Sequence, residues 1–194
     1  NKKIKDEIKT LRFARSASAP LSPEIHRKFE NRFKIPIIET MGLTETGAQI
    51  LSNPMPPRER KIGSPGIAFG NKISIVDENG KQLPANSSGE ILVKGENVMI
   101  GYLKQPLETN KTITKDNWLK TGDIGYLDED GYVFVTGRIK ELIIKGGENI
   151  APREIDEVLL EHETISGEEV TRLTGLAENT DLSSESSTEP SHAD

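Results

Sequence analysis

The chain has 194 residues, a net charge of −6 and no cysteine, which excludes a disulfide scaffold, a cysteine zinc site and thiol catalysis, and suits a reducing, cytoplasmic compartment. No stretch approaches 18 uninterrupted apolar residues, which excludes a transmembrane helix. Residues 163–194 hold eight carboxylates against Arg172, a net of −7, so residues 1–162 stand at +1, a balance unlike that of a nucleic-acid binder.

The segment Asn1–Glu7 has no apolar run, so no secretory signal is expected, and it lacks an initiator Met. Leu11–Ser16 reads as a short buried strand. Ser22-Pro23-Glu24 reads as a helix start, with Ser at the N-cap and Pro at the first helical position, and Ile25, Phe29 and Phe33 follow at helical spacing. Pro36–Thr40 reads as the next strand, and strand–helix–strand of this length implies a mostly parallel sheet. From residue 62 the pattern changes. Lys72–Asp77 alternates ahead of an Asn79-Gly80 turn, Gly89–Gly95 is another strand, and Asp128-Glu129-Asp130-Gly131 separates Ile124–Leu127 from Tyr132–Val135. Short strands divided by Gly, Pro and Asn predict an antiparallel barrel or sandwich over 62–137. Glu141–Lys145 reads as a strand, and Ala151–Leu160 opens a helix with Pro and acidic residues early. Beyond Ser166 the chain is rich in Ser, Thr, Glu and Asn, a composition that predicts disorder. The fold class is therefore α/β plus β.

Several loops carry small polar residues beside one acid. Thr40–Gly47 follows a strand, and its Thr44 and Glu45 suit either a phosphate with its Mg²⁺ or the capped first turn of a following helix. Thr121-Gly122-Asp123 sets a carboxylate after a Thr-Gly turn, fit to accept both hydroxyls of a ribose or simply to close a turn. Arg138 and Lys140 are two residues apart and suit phosphate or ribose oxygens, or a solvated strand end. Gly146-Gly147 is a turn where a ligand can run close to the backbone, or a plain connector. The Asp128–Gly131 run has the early acids of a calcium loop but not the later ligands, so a hairpin turn is expected. His26, His162 and His192 form no metal pattern.

Taken in order, Ser16–Leu21, Met41–Glu45, Gly89-Glu90-Ile91 with Gly101-Tyr102, Thr121–Asp123, Gly137–Glu141 and Gly146–Ile150 resemble the adenylate-forming family of acyl-CoA synthetases over roughly residues 10–162. The resemblance implies formation of an acyl-adenylate from a carboxylic acid and ATP with Mg²⁺, then transfer of the acyl group to coenzyme A or another thiol. It implies that Ser18, Ala19 and Pro20 flank the adenine and the acyl pocket, that Thr44 contacts phosphate and that Glu45 holds Mg²⁺. Asp123 is implied to grip the ribose hydroxyls, Arg138 to meet the ribose-phosphate region, Lys140 to be the hinge to a small C-terminal domain, and Gly146 and Gly147 to line the thioester tunnel. Met41 stands where the family usually has an aromatic residue, and Ser18 where many members have Gly.

On this resemblance, residues 1–60 are expected to end an α/β subdomain and 61–138 to form a β-barrel-like subdomain. Residues 139–162 then hold the hinge and the start of a small α+β C-terminal domain, and 163–194 an acidic tail. The family's phosphate loop lies upstream of these motifs and its distal catalytic Lys downstream, so the chain is expected to be part of an acyl-CoA synthetase and inactive alone. The alternative is a non-catalytic remnant that binds adenine nucleotide or a protein partner. Neither the acid nor the oligomeric state is legible in these motifs.

Overall fold

A computed structural model describes residues 8, 10–47, 49–145, 148–152, 155, 158 and 159. Residues 1–153 form one unit; the second, 154–194, has only three described residues, so the expected helix there and the acidic tail lie largely or wholly outside the described residues.

The first strand, β1 (Ala14–Ser16), leads into helix α1 (Pro23–Phe33). Pro23 opens α1 as expected, but the Ser22 side chain makes no capping bond; its carbonyl accepts from His26 N at 2.9 Å. Lys34 closes the helix in a left-handed conformation. The chain returns as β2 (Ile37–Gly42), parallel to β1, so the strand–helix–strand expectation holds. The sheet is not mostly parallel, however. A three-residue 3-10 turn (Thr44–Thr46) reverses the chain directly into β3 (Gln49–Ser52), and β4 (Ile67–Ala68) follows, both antiparallel. A connection this short cannot make the crossover that a parallel pair needs.

The second sheet runs in the order β5 (Lys72–Val76), β6 (Gly89–Lys94), β7 (Leu119–Leu127) and β8 (Val133–Arg138), all antiparallel. Helix α2 (Pro106–Thr112) lies between β6 and β7 in sequence. The expected barrel-like closure is not found among the described residues: the sheet is open, and four strands are too few for the tilt and stagger that close a barrel. Register shifts between Glu90 and Leu92 and between Ile124 and Gly125 bend it instead. The turn at 128–131 is a hairpin. Asp128 Oδ1 accepts from the amides of Asp130 (3.0 Å) and Tyr132 (2.8 Å), while Lys61 Nζ lies 2.6 Å from both Asp128 and Asp130.

The core is built from both sheets: Ile50 and Leu51 on β3, Ile75 on β5, Ile91 and Val93 on β6, Leu119 on β7 and Val133 on β8. A single bridge, Gly66 to Val133, ties the segment before β4 to β8. A Cβ at Gly66 would stand 2.0 Å from the Ser52 carbonyl carbon, so only glycine fits that crossing. After β8 comes a second 3-10 turn (Ile139–Glu141), then the antiparallel pair β9 (Ile143–Lys145) and β10 (Glu148–Ile150).

Beside α1, Glu30 accepts from Arg60 at 2.5 Å and from the Ile37 amide at 2.7 Å, and lies 3.1 Å from His26 Nε2. Burial pushes the Glu30 carboxyl up, but these donors outweigh it and lower it to about 2. The cluster fixes α1 on β2. No helix among the described residues is long and apolar enough to cross a membrane.

Candidate functional site

The parallel pair β1 and β2 ends on the same side, and the chain beyond both ends borders a cleft of about 340 Å³. Ligands of open α/β sheets sit in such crevices at the carboxyl ends of strands. Its walls include Ser18, Ala19 and Pro20 after β1, Thr40, Met41 and Gly42 of β2, Asp123 of β7 and Arg138 of β8. Ser18, where many members of the resembled family have Gly, takes a φ of 75°, a left-handed conformation that glycine adopts at least cost.

Asp123 and Arg138 are directly opposed in the β7–β8 register, and Arg138 Nε lies 2.8 Å from Asp123 Oδ1. The pair is asymmetric: the Asp123 side chain is 7% exposed and that of Arg138 52%. Burial pushes the Asp123 carboxyl above its usual range; the Arg138 guanidinium opposes the shift without cancelling it, and the Glu141 and Glu90 carboxylates add to it. A buried carboxylate with one oxygen engaged and a half-exposed arginine beside it can accept hydroxyls and meet an anion at the same point.

A second cleft, about 430 Å³, shares Leu43, Arg138 and Glu141 with the first. Its walls carry the cations Lys111, Lys120, Arg138 and Lys140 and the carboxylates Glu45, Glu90 and Glu141. Glu45 projects from the Thr44–Thr46 turn, and its Oε1 accepts from the Tyr102 hydroxyl at 2.9 Å. That hydrogen bond, with burial, raises the Tyr102 phenol above its ordinary value.

Of the residues expected from sequence, Ser18, Ala19, Pro20 and Asp123 line the first cleft, Glu45 and Lys140 the second, and Arg138 both. Thr44 is exposed on its turn and lines neither. Gly146 and Gly147 lie outside the described residues. Thr44 does not cap a following helix. The turn is three residues long, Leu43 holds the N-cap position, and Thr46 Oγ1 accepts from the Leu43 amide (3.2 Å) and donates to its carbonyl (2.9 Å). Asp123 is not in a turn but inside β7, because the strand extends through Gly122 at a φ of 73°. Arg138 is a solvated strand end and a cleft residue at once.

Glu90, Tyr102 and Glu141 were missed as cleft residues, although each lies in a stretch that carries the resemblance. A composition of one acid among small residues points to Glu45 and Asp123 but gives no reason to single out a tyrosine 57 positions away. No group of three metal-ligating side chains occurs among the described residues. Three carboxylates interspersed with four cations suit Mg²⁺ held mostly by a nucleotide's phosphates and water, and not a metal caged by protein.

The profile of the AMP-binding enzyme family matches residues 1–103. The chain is 57% identical over 152 residues to a sulfoacetate–CoA ligase of Cupriavidus necator, covering 78% of this chain and 30% of the relative. It is 42% identical over 156 residues to an oxalate–CoA ligase of Saccharomyces cerevisiae, covering 80% of this chain and 29% of that one. Among solved structures it is similar to ATP-bound MatB from Rhodopseudomonas palustris, with a TM-score of 0.76 and 38% identity, covering 80% of this chain and 31% of the other. The chain thus spans about 30% of the length of the curated relatives it matches.

Proposed function

The chain belongs to the AMP-binding enzyme family, and we propose that it supplies the ribose and metal side of the nucleotide site of an acid–CoA ligase. The reaction has two steps. A carboxylate oxygen of the acid attacks the α-phosphorus of ATP and pyrophosphate leaves; the thiolate of coenzyme A then attacks the acyl carbon and AMP leaves. Ser18, Ala19 and Pro20 flank the adenine and the acid, Asp123 accepts the ribose hydroxyls, and Arg138 meets the ribose-phosphate junction. Thr44 contacts phosphate, Glu45 is the Mg²⁺ ligand, Lys140 is the hinge, and Gly146-Gly147 lines the path of the thiol. Bound there, Mg²⁺ would neutralise charge on the phosphates. The sulfoacetate and oxalate ligases point to a small acid as substrate, and the absence of cysteine suits a cytoplasmic setting.

The observation that carries the reading is convergence. Segments around residues 18, 41, 123 and 138 border one cleft, and Arg138 links it to the cleft that Glu45 borders. Calorimetric titration of the 194-residue chain tests it. Weak AMP and ATP binding is expected, on the order of 1 mM, about −4 kcal/mol, with no acid-dependent pyrophosphate release. Binding that is absent, or that Asp123→Ala leaves unchanged, overturns the reading.

A further inference from the structure

Residues 95–102 strap the turn that carries Glu45. Asn97 Nδ2 donates to the Thr46 carbonyl at 3.0 Å, Met99 N to the Glu45 carbonyl at 2.7 Å, and Tyr102 Oη to Glu45 Oε1 at 2.9 Å. The first two bonds hold the backbone of the turn and leave the carboxylate free to rotate. Only the third constrains the carboxylate. Tyr102 is itself anchored: its amide donates to Thr109 Oγ1 at 2.9 Å, and Thr109 Oγ1 donates to the Gln105 carbonyl at 3.0 Å. The first turn of α2 therefore anchors the Tyr102 backbone.

The chemistry of the donor is informative. A phenol donates one hydrogen bond and carries no charge. A lysine or arginine in its place would also fix the carboxylate, but would compete with any cation that the carboxylate holds. A phenol is protonated throughout the neutral range, so Tyr102 remains a donor there. A neutral donor on one carboxylate oxygen leaves the other for a cation, as the hydrogen-bonded supports of metal-ligating carboxylates do.

We propose that Tyr102 is a positioning residue that orients Glu45 to hold the Mg²⁺ of a bound nucleotide. The inference rests on the metal role given to Glu45 above. Tyr102 acts on the metal through Glu45.

Tyr102→Phe keeps the ring and removes the donor. The test measures ATP affinity of the chain in saturating Mg²⁺ and in EDTA, with the melting temperature of each variant. Tyr102→Phe is expected to reduce the Mg²⁺ enhancement of ATP affinity about tenfold and to leave the affinity in EDTA within about twofold. Glu45→Gln is expected to give the same loss, and the double variant no further loss. If Tyr102→Phe weakens binding equally with and without Mg²⁺, or keeps the enhancement while Glu45→Gln loses it, the positioning role is overturned and the metal reading stands. If Glu45→Gln keeps the enhancement, the metal reading fails and the inference with it. Should Tyr102→Phe melt below the assay temperature, Thr109→Val, which frees the Tyr102 amide and spares the hydroxyl, must show a smaller loss of the same Mg²⁺-specific kind; an unchanged enhancement overturns the proposal.

Discussion

Asp123 and Arg138 face each other across β7 and β8, with Arg138 Nε 2.8 Å from Asp123 Oδ1, and both border the cleft beyond the ends of β1 and β2. Asp123 is buried inside the strand, whereas Arg138 stands half exposed at the strand's end. The carboxylate is therefore the desolvated partner and the guanidinium the solvated one.

From this asymmetry, Asp123→Ala is expected to lower AMP affinity at least tenfold, since a charged acceptor of hydroxyls contributes about 1.5–3 kcal/mol. Arg138→Ala is expected to lower AMP affinity less, because its side chain is half exposed and an exposed charge is worth under about 1 kcal/mol. Calorimetric titration of the two variants checks both statements. Equal loss of AMP affinity in both would remove the distinction.

Ser18 predicts a stabilising substitution in the site itself. A non-glycine residue at a φ of 75° is strained by about 1–2 kcal/mol. Glycine removes that strain and costs about 0.5–1 kcal/mol in lost unfolded-state freedom. Ser18→Gly is thus expected to raise stability by up to about 1 kcal/mol, read by denaturant unfolding. A clear loss of stability would mean that the Ser18 side chain makes contacts worth more than its strain.

Glu30 predicts a pH dependence. Its carboxyl is lowered from 4.5 to about 2. A depressed folded-state value contributes stability that is present above 4.5 and lost as pH falls toward 2. Asp123 has the opposite sign: its raised carboxyl contributes stability that is present below 3.8 and lost as pH rises through the folded-state value. Glu30→Gln should cost about 2 kcal/mol at neutral pH and flatten the acid limb of the stability profile, whereas Asp123→Asn should remove the opposing slope. Urea unfolding at a series of pH values from 2 to 7 reads both; an acid limb unchanged in Glu30→Gln refutes the first.

Lys140 lies exposed in the 3-10 turn that follows β8. Proline fixes φ near −65° and removes the amide donor, whereas a hinge must absorb large dihedral changes. In a chain carrying the full length of the relatives, Lys140→Pro is expected to slow adenylate formation and thioester formation by very different factors. Lys140→Ala should change stability by no more than about 0.5 kcal/mol. Separate assays of the two steps, with melting temperature as control, decide the matter; equal loss in both steps marks Lys140 as an ordinary strand-end residue.

The sequence by itself determined what depends on near neighbours. The alternation in Lys72–Val76, the Pro23 start of α1 and the acid-rich turn at 128–131 are local signals, and the structure has a strand, a helix and a hairpin there. The order of short motifs along the chain likewise carried the family, because order and spacing survive in a linear string. Tertiary structure alone decided three matters. The short turn at Thr44–Thr46 sends β3 back antiparallel, which no propensity of residues 49–52 encodes. The extension of β7 through Gly122 carries Asp123 into a strand opposite Arg138, a register set by the bulge at Ile124 and Gly125. The bond from Tyr102 to Glu45 spans 57 residues, and it exists because α2 anchors the Tyr102 amide while β2 and the 3-10 turn deliver the carboxylate. Side-chain pairs across such separations are fixed by how elements pack, and packing is a property of the whole chain that local periodicity does not contain.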